Sequence, residues 1–259
     1  MPEAPEVGFL AEYLKKLIND NITQIEVLKG NEKIKFPKKS RVIDIGSKGK
    51  KLWIQTKDYY IHINLMLTGW VILNDESKNT KYKIITDKNK IYITTRRNFT
   101  NIKIYKHEEH EKKIKELGEE VFSNKFTLEY FKNVITKSKI IISSLLINQT
   151  KFAGIGNYIK NEALYISKIN PKRIAKSLNL LEIKRLHNAV RYVAFSCFVE
   201  QLNENNIKIP KNIKKILPKK IQTPYNFRVY GRKIDNQGNE ITNEQIAGRT
   251  TYFVESRQK

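Results

Sequence analysis

The run from Ile22 to Tyr105 limits the possible folds most. Apolar and polar residues alternate through ITQIEVL, SRVIDIG, KLWIQTK, YYIHINLML, GWVIL, YKIITD, KIYITT and NIKIY, with Ile, Val, Tyr and Thr in excess. A period of two in β-branched and aromatic residues describes half-buried strands, and KGNEK, TKD and DKNK between them are turn signals. The run therefore predicts an antiparallel sandwich or barrel. Ahead of it, VGFLAEYLKKLI at 7–18 places Val7, Leu10, Leu14, Leu17 and Ile18 on one helical face.

After Lys106 the period lengthens to that of helices. HEEHEKKIKELG is a charged connector, and FTLEYFKNVI, IIISSLLINQ, GNYIKNEALYISK and LEIKRLHNAVRYVAFSCFVEQL are helical segments. Asn179 and Glu182 have the capping-box spacing that starts the last of these. The Lys/Pro-rich stretch 205–222 reads as a mobile loop. Residues 225–255 return to strands, with turns at DNQGN and AGR. The reading is thus α+β: a β domain over 1–120, a helical domain over 121–222 and a β-hairpin module over 223–259.

The chain has 259 residues, enough for about two domains. Its 49 Lys and Arg against 26 Asp and Glu give a formal charge of +23, which favours a polyanionic partner, nucleic acid first. A general bias toward Lys, Ile and Asn produces the same excess, so charge alone does not decide. Cys197 is the single cysteine, which excludes an intrachain disulfide and a multi-cysteine zinc site. No apolar run reaches membrane-helix length and no secretory signal core follows the N-terminus. The expectation is a soluble intracellular protein, found wherever the genome is kept.

Several short stretches can carry chemistry. AGIGN at 153–157 lies between helical segments, where glycines let the backbone approach a ligand and helix N–H groups suit a phosphate; most such glycine pairs are plain turns. SKGKKLW at 47–53 gathers Lys48, Lys50 and Lys51 around a glycine and serves equally as a solvated turn. TRRNF at 95–99 sets two guanidiniums beside an aromatic ring, suited to phosphates and bases or to an ordinary strand end. Arg249 stands at a hairpin tip. HEEH at 107–110 lacks metalloprotease spacing, and His62 and His187 read as structural.

MPEAPEV, at the start, is compatible with a simple helix start. It also has a chemical reading. Removal of Met1 leaves Pro2 with a free secondary amine, able to attack C1′ of a deoxyribose and form a cationic iminium. Glu3 is placed to protonate the ring oxygen or the leaving group, and Glu6, one turn on, to orient the terminus.

Taken together these residues resemble the Fpg/Nei family of formamidopyrimidine-DNA glycosylases and endonuclease VIII-like enzymes, in order over almost the whole chain. MPEAPEV resembles the family's P-E-L-P-E-V start, GKKLWI its phosphate-contacting lysine segment, and LMLTG and RNF its L-G-M-[ST]-G and R-R-F stretches. LGEEVFSNKFTLEYF resembles the interdomain segment. LINQTKFAGIGNYIKNEALYISKINP is similar to the helix–two-turn–helix, and VYGR with AGRTTYF to the arms of a C-terminal finger. The finger usually holds zinc with four cysteines. None occurs at 225–259, so the resemblance implies a zincless finger packed through Tyr230, Tyr252 and Phe253, as in some Nei-like and viral members.

The resemblance implies Pro2 as nucleophile, Glu3 as acid/base, Glu6 as supporting carboxylate and Lys50 beside the lesion phosphate. Asn157 and Arg249 become DNA-binding residues, and Leu67, Arg97 and Phe99 fill the void left by the flipped base. Leu67 stands for the usual Met, Thr100 for Gly and Asn64 for His. The implied protein is a monomeric, bifunctional DNA glycosylase/AP lyase of base excision repair that binds DNA in a basic cleft. It cuts by β,δ-elimination without metal or organic cofactor. Its substrates are oxidised pyrimidines and ring-opened purines, in duplex and also in single strands, read by a lesion loop within 205–222. An AP lyase without base excision and a non-catalytic damaged-DNA-binding protein are the alternatives.

Overall fold

The computed structural model describes residues 2–259. They form two compact units: residues 6–116 with Pro2, and residues 117–259 with Glu3–Pro5.

Helix α1 (Ala4–Leu14), whose first two residues are grouped with the second unit, runs into a 3₁₀ turn at Lys15–Leu17. Its start lies three residues earlier than the apolar rhythm suggests, and Val7, Leu10, Leu14 and Leu17 are buried as the rhythm predicts. Eight strands follow: β1 (Asn21–Val27), β2 (Ser40–Lys48), β3 (Lys51–Thr56), β4 (Tyr60–Asn64), β5 (Trp70–Leu73), β6 (Thr80–Thr86), β7 (Lys90–Thr94) and β8 (Asn101–Tyr105). All pairs are antiparallel, in the order β5-β7-β6-β1-β2-β3-β4-β8. Only Asn21 with Arg41 and Ile22 with Ser40 join β1 to β2, so the array consists of two four-stranded halves.

Alternation holds in β3, where Leu52, Ile54 and Thr56 are buried. It fails in β4, where Tyr60 to Ile63 are all buried. The cause is helix α2 (His107–Lys115), whose one buried residue, His110, stacks on Tyr60 at 3.7 Å and shares a 2.8 Å hydrogen bond with His62. HEEH is therefore a packing device.

In the second unit, β9 (Glu119–Glu120) pairs in parallel with β10 (Phe152–Ala153). Helices α3 (Leu128–Thr136), α4 (Ile142–Leu146), α5 (Asn157–Ser167) and α6 (Leu180–Glu204) surround a core that includes Phe126, Phe131, Phe152 and Phe195. The predicted capping box starts α6: Asn179 Oδ1 accepts from Glu182 N at 2.9 Å, and Glu182 Oε2 accepts from Asn179 N at 2.8 Å.

Residues 205–222 differ from the expected mobile loop. They contain helix α7 (Lys211–Ile216), which buries Ile213, and they are tied to α6. Arg191 donates to the Ile216 carbonyl, Tyr192 Oη to Gln222 Oε1 at 2.9 Å, and Gln222 N to Ser196 Oγ at 2.9 Å. The lysines hid the two isoleucines of α7, Ile213 and Ile216.

The chain ends in the antiparallel hairpin β11 (Thr242–Ile246) and β12 (Arg249–Phe253), turning at Ala247 and Gly248, both at positive φ. The fold is α+β, with an N-terminal antiparallel sheet and C-terminal helices. Among the described residues no helix is long and apolar enough to cross a membrane.

Candidate active site and nucleic-acid contacts

Helix α5 begins at AGIGN, and its first N–H groups have an occupant. Glu3, 1% exposed, accepts from Gly156 N at 2.8 Å and Ile159 N at 3.2 Å through Oε2, and from Tyr158 N at 2.9 Å through Oε1. Sequence reasoning offered these donors to a phosphate; the structure gives them to a carboxylate from the chain's own beginning. Orphan N–H groups and the positive end of the dipole both suit it. Gly156 has its own role here, because a Cβ built on it overlaps the Glu3 carboxyl group. Ala4 N donates to the Gly154 carbonyl at 3.1 Å and fixes the same segment. Pro2, one residue before Glu3, is buried, and Glu6 is half-buried in the first turn of α1.

Asn157, the first residue of α5, is fully engaged. Its Nδ2 donates to the Thr250 carbonyl at 2.8 Å, and its Oδ1 accepts from Lys160 Nζ at 2.9 Å. Lys160 also donates to Thr251 Oγ1 at 2.8 Å. Arg249, exposed at the start of β12, adjoins this hydrogen-bonded patch. The second unit thus brings Glu3, Asn157 and Arg249 to one end of α5. Burial lowers the Lys160 ammonium to about 8, against the opposing pull of the Glu3 charge and with the Arg249 charge adding to the fall.

Two buried charges on α5 escaped sequence reasoning: Lys160 and Glu162. Glu162 Oε1 accepts from Val229 N and Tyr230 N at 2.9 Å, and Oε2 from Arg228 N at 2.9 Å and Tyr225 Oη at 2.7 Å. Burial, then the Glu162 charge, pushes the Tyr225 phenol far up. This carboxylate organises the 225–230 segment ahead of the hairpin. Tyr230 packs edge-on to Tyr252 at 5.5 Å, and Phe253 is buried, as the packing expectation had it. A Lys and a Glu two residues apart, between Tyr158–Ile159 and Ala163–Leu164, were the available signal. Among the described residues no group of three or more His, Cys, Asp or Glu could hold a metal ion.

In the first unit, Lys50 is half-buried at the β2–β3 turn beside Gly49, whose φ is +61°. Its neighbours have separate tasks. Lys48 donates to the Ile114 carbonyl at 3.2 Å and Lys51 to Asn64 Oδ1 at 3.2 Å. Burial, then the charges of Lys103 and Lys113, lower the Lys51 ammonium.

Leu67, Arg97 and Phe99 lie on two loops that are stitched together. Thr100 Oγ1 donates to the Leu65 carbonyl at 3.3 Å and Arg96 N to Thr68 Oγ1 at 3.2 Å. Leu67 is half-buried, Arg97 is exposed, and Phe99 is 56% exposed. The unusual Thr100 is therefore a structural tie. The fully buried Lys81 grips the second loop from beneath, donating to the Asn98 carbonyl at 3.3 Å and the Thr100 carbonyl at 3.0 Å, and pairing with Glu32 at 2.8 Å. The unusual Asn64 receives Lys51 and donates to Asn101 Oδ1 at 2.8 Å.

Comparison with known proteins follows the same division. Residues 1–102 match the formamidopyrimidine-DNA glycosylase N-terminal domain, and residues 117–206 the formamidopyrimidine-DNA glycosylase H2TH domain. A formamidopyrimidine-DNA glycosylase of Pelotomaculum thermopropionicum is 28% identical over 277 residues, covering 100% of this chain and 99% of the relative. One from Prochlorococcus marinus (strain MIT 9312) is 30% identical over 250 residues, covering 88% of this chain and 76% of the relative. The solved MutM (Fpg) protein of Thermus thermophilus shares the fold at a TM-score of 0.82 and 24% identity, over 99% of this chain and 98% of that one. The Lactococcus lactis protein, solved non-covalently bound to DNA containing an AP site, shares it at 0.80 and 20% identity over 99% of both chains. With both domains matched in order, and a relative at this identity aligned over most of both chains, this chain belongs to the formamidopyrimidine-DNA glycosylase family of DNA-repair proteins.

Proposed function

We propose that the protein is a bifunctional DNA glycosylase/AP lyase of base excision repair that uses Pro2 as its nucleophile. The observation that carries this is the Glu3 carboxylate, held by three backbone N–H groups at the start of α5 directly after Pro2. Burying a carboxylate is costly unless its acceptors are filled, and here the fold fills them at the residue next to a reactive amine.

With Met1 removed, the Pro2 nitrogen lone pair forms a bond to C1′ as the bond from C1′ to the damaged base breaks. The base departs with the bonding pair and takes up a proton. Opening of the sugar ring leaves an iminium between Pro2 and C1′. That electron sink acidifies C2′–H, and loss of this proton expels the 3′ phosphate (β-elimination). Loss of a further proton expels the 5′ phosphate (δ-elimination). Glu3 carries the protons that these steps exchange, and Glu6 supports it. Lys50, Asn157 and Arg249 hold phosphates, while Leu67, Arg97 and Phe99 occupy the stack in place of the extruded base. The substrates are ring-opened purines, in keeping with the name of the family, and oxidised pyrimidines. The protein acts as a monomer on duplex and single-stranded DNA.

The test is borohydride trapping with protein that begins at Pro2, on DNA carrying a ring-opened guanine, thymine glycol, 8-oxoguanine or an abasic site. A covalent complex on the first two that is lost in Pro2→Gly is the expected result. Trapping on the abasic site alone leaves an AP lyase without base excision. Binding with no trapping on any of these substrates leaves a damaged-DNA-binding protein.

A further inference from the structure

We infer that Lys160 is a positioning residue for DNA binding: it sets the direction of the Asn157 side-chain amide and locks that amide to the β11–β12 hairpin. The inference rests on the phosphate-binding reading of Asn157 and Arg249 given above.

An asparagine amide has one acceptor end and one donor end of nearly equal shape, and the surroundings decide which way it faces. An ammonium can only donate. Lys160 Nζ, 2.9 Å from Asn157 Oδ1, therefore fixes the oxygen inward and turns Nδ2 toward β12, where it meets the Thr250 carbonyl at 2.8 Å. Nδ2 is the donor end of the amide, the end that can serve a phosphate oxygen; in the free protein it donates to the Thr250 carbonyl and faces Tyr230. The second donation by Lys160, to Thr251 Oγ1 at 2.8 Å, holds the hairpin strand that begins at Arg249. One buried ammonium thus ties the two phosphate-binding residues into one unit.

The position is an unfavourable one for a cation. Lys160 is fully buried and lies in the first turn of α5, at the positive end of its dipole. The groups facing it are the Glu3 carboxylate from the N-terminal segment, the Asn157 side chain on its own helix, and Thr251 and the Arg249 guanidinium from the hairpin. Met at this site removes the buried charge but leaves Asn157 Oδ1 and Thr251 Oγ1 without their donor, so stability has to be read beside binding. A phosphate arriving at Asn157 and Arg249 adds negative charge to that of Glu3. Binding then raises the proton affinity of Lys160, whose free value lies near 8. Affinity for DNA should be highest below pH 8 and fall as pH rises through that value.

The experiment measures binding of a duplex containing a tetrahydrofuran abasic analogue by wild type, Asn157→Ala, Lys160→Met and the double variant, from pH 7 to 9.5, with thermal midpoints recorded alongside. Lys160→Met is expected to bind about tenfold more weakly at pH 7. It should add little to Asn157→Ala in the double variant and lose the fall in affinity above pH 8. Lys160→Gln, which keeps a donor but has no titrating group, should restore most of the binding and still lose the fall in affinity above pH 8, and that lost pH dependence is the readout if Lys160→Met does not fold. If Asn157→Ala weakens binding while Lys160→Met does not, or if the two losses add in full, this inference is wrong and the phosphate reading stands. If Asn157→Ala itself binds as wild type, the phosphate reading falls and the inference falls with it.

Discussion

Glycine at position 156 is there to leave room for a carboxylate. Any Cβ at this point overlaps Glu3, which has no other place to go while three N–H groups hold it. Gly156→Ala should displace Glu3 and with it Pro2. We expect a stability loss of about 2 kcal/mol from overpacking and a fall in single-turnover base excision of more than about 100-fold from misplacement of the reacting groups. Thermal melts and single-turnover assays on the same preparation separate the two effects. An alanine variant with unchanged excision would show that Glu3 does not need this seat. The sequence announced both halves of this arrangement, MPEAPEV and AGIGN, as notable on their own. It could not announce their contact, because 153 residues separate Glu3 from Gly156 and no local periodicity spans that distance.

Among the elements, those with strong local patterns were legible and those built on long-range polar ties were not. Strands β1 to β8 lie within the alternating run, although β4 is buried on both faces, and α6 followed its capping box. Helix α7 was hidden because lysines dominate its six residues. The loop carrying Arg97 and Phe99 was visible as a basic-aromatic cluster, yet its anchor on β6 was not: a lysine in an alternating strand reads as solvent-facing. Lys81 faces inward and grips the carbonyls of residues 98 and 100. Lys81→Met should cost about 3 kcal/mol, since it removes a charged donor from buried acceptors. It should also speed amide exchange across 97–101 before the remainder of the sheet. Uniform exchange throughout the sheet would argue against a local anchoring role.

For the whole molecule, acid is the condition that should weaken the fold first. Burial, then the neighbouring His110 and Lys51 charges, drive the His62 imidazole down to about 4, and burial also lowers His110 and His187. Each binds a proton less tightly folded than unfolded. Stability is therefore complete above about pH 6.5 and is lost as pH falls from there toward 4. His62 alone should account for about 2–3 kcal/mol of that loss. The thermal midpoint measured from pH 7 to 4.5 should drop, and His62→Gln, which can still donate to His110, should flatten the curve. An unchanged pH slope in that variant would remove His62 from the explanation. The charge of +23 favours a polyanionic partner without deciding for one. Two fully buried lysines, Lys81 and Lys160, show that part of this charge serves the interior.

The hold of α5 on Glu3 also has a consequence in time. A chain is made from its N-terminus, and Glu3 leaves the ribosome long before Gly156, Tyr158 and Ile159 exist to receive it. No nascent chain that stops short of α5 can seat Glu3 beside Pro2. Pro2, the proposed nucleophile, is thus among the last residues to be made ready, and a truncated translation product that lacks α5 carries it without a seated Glu3.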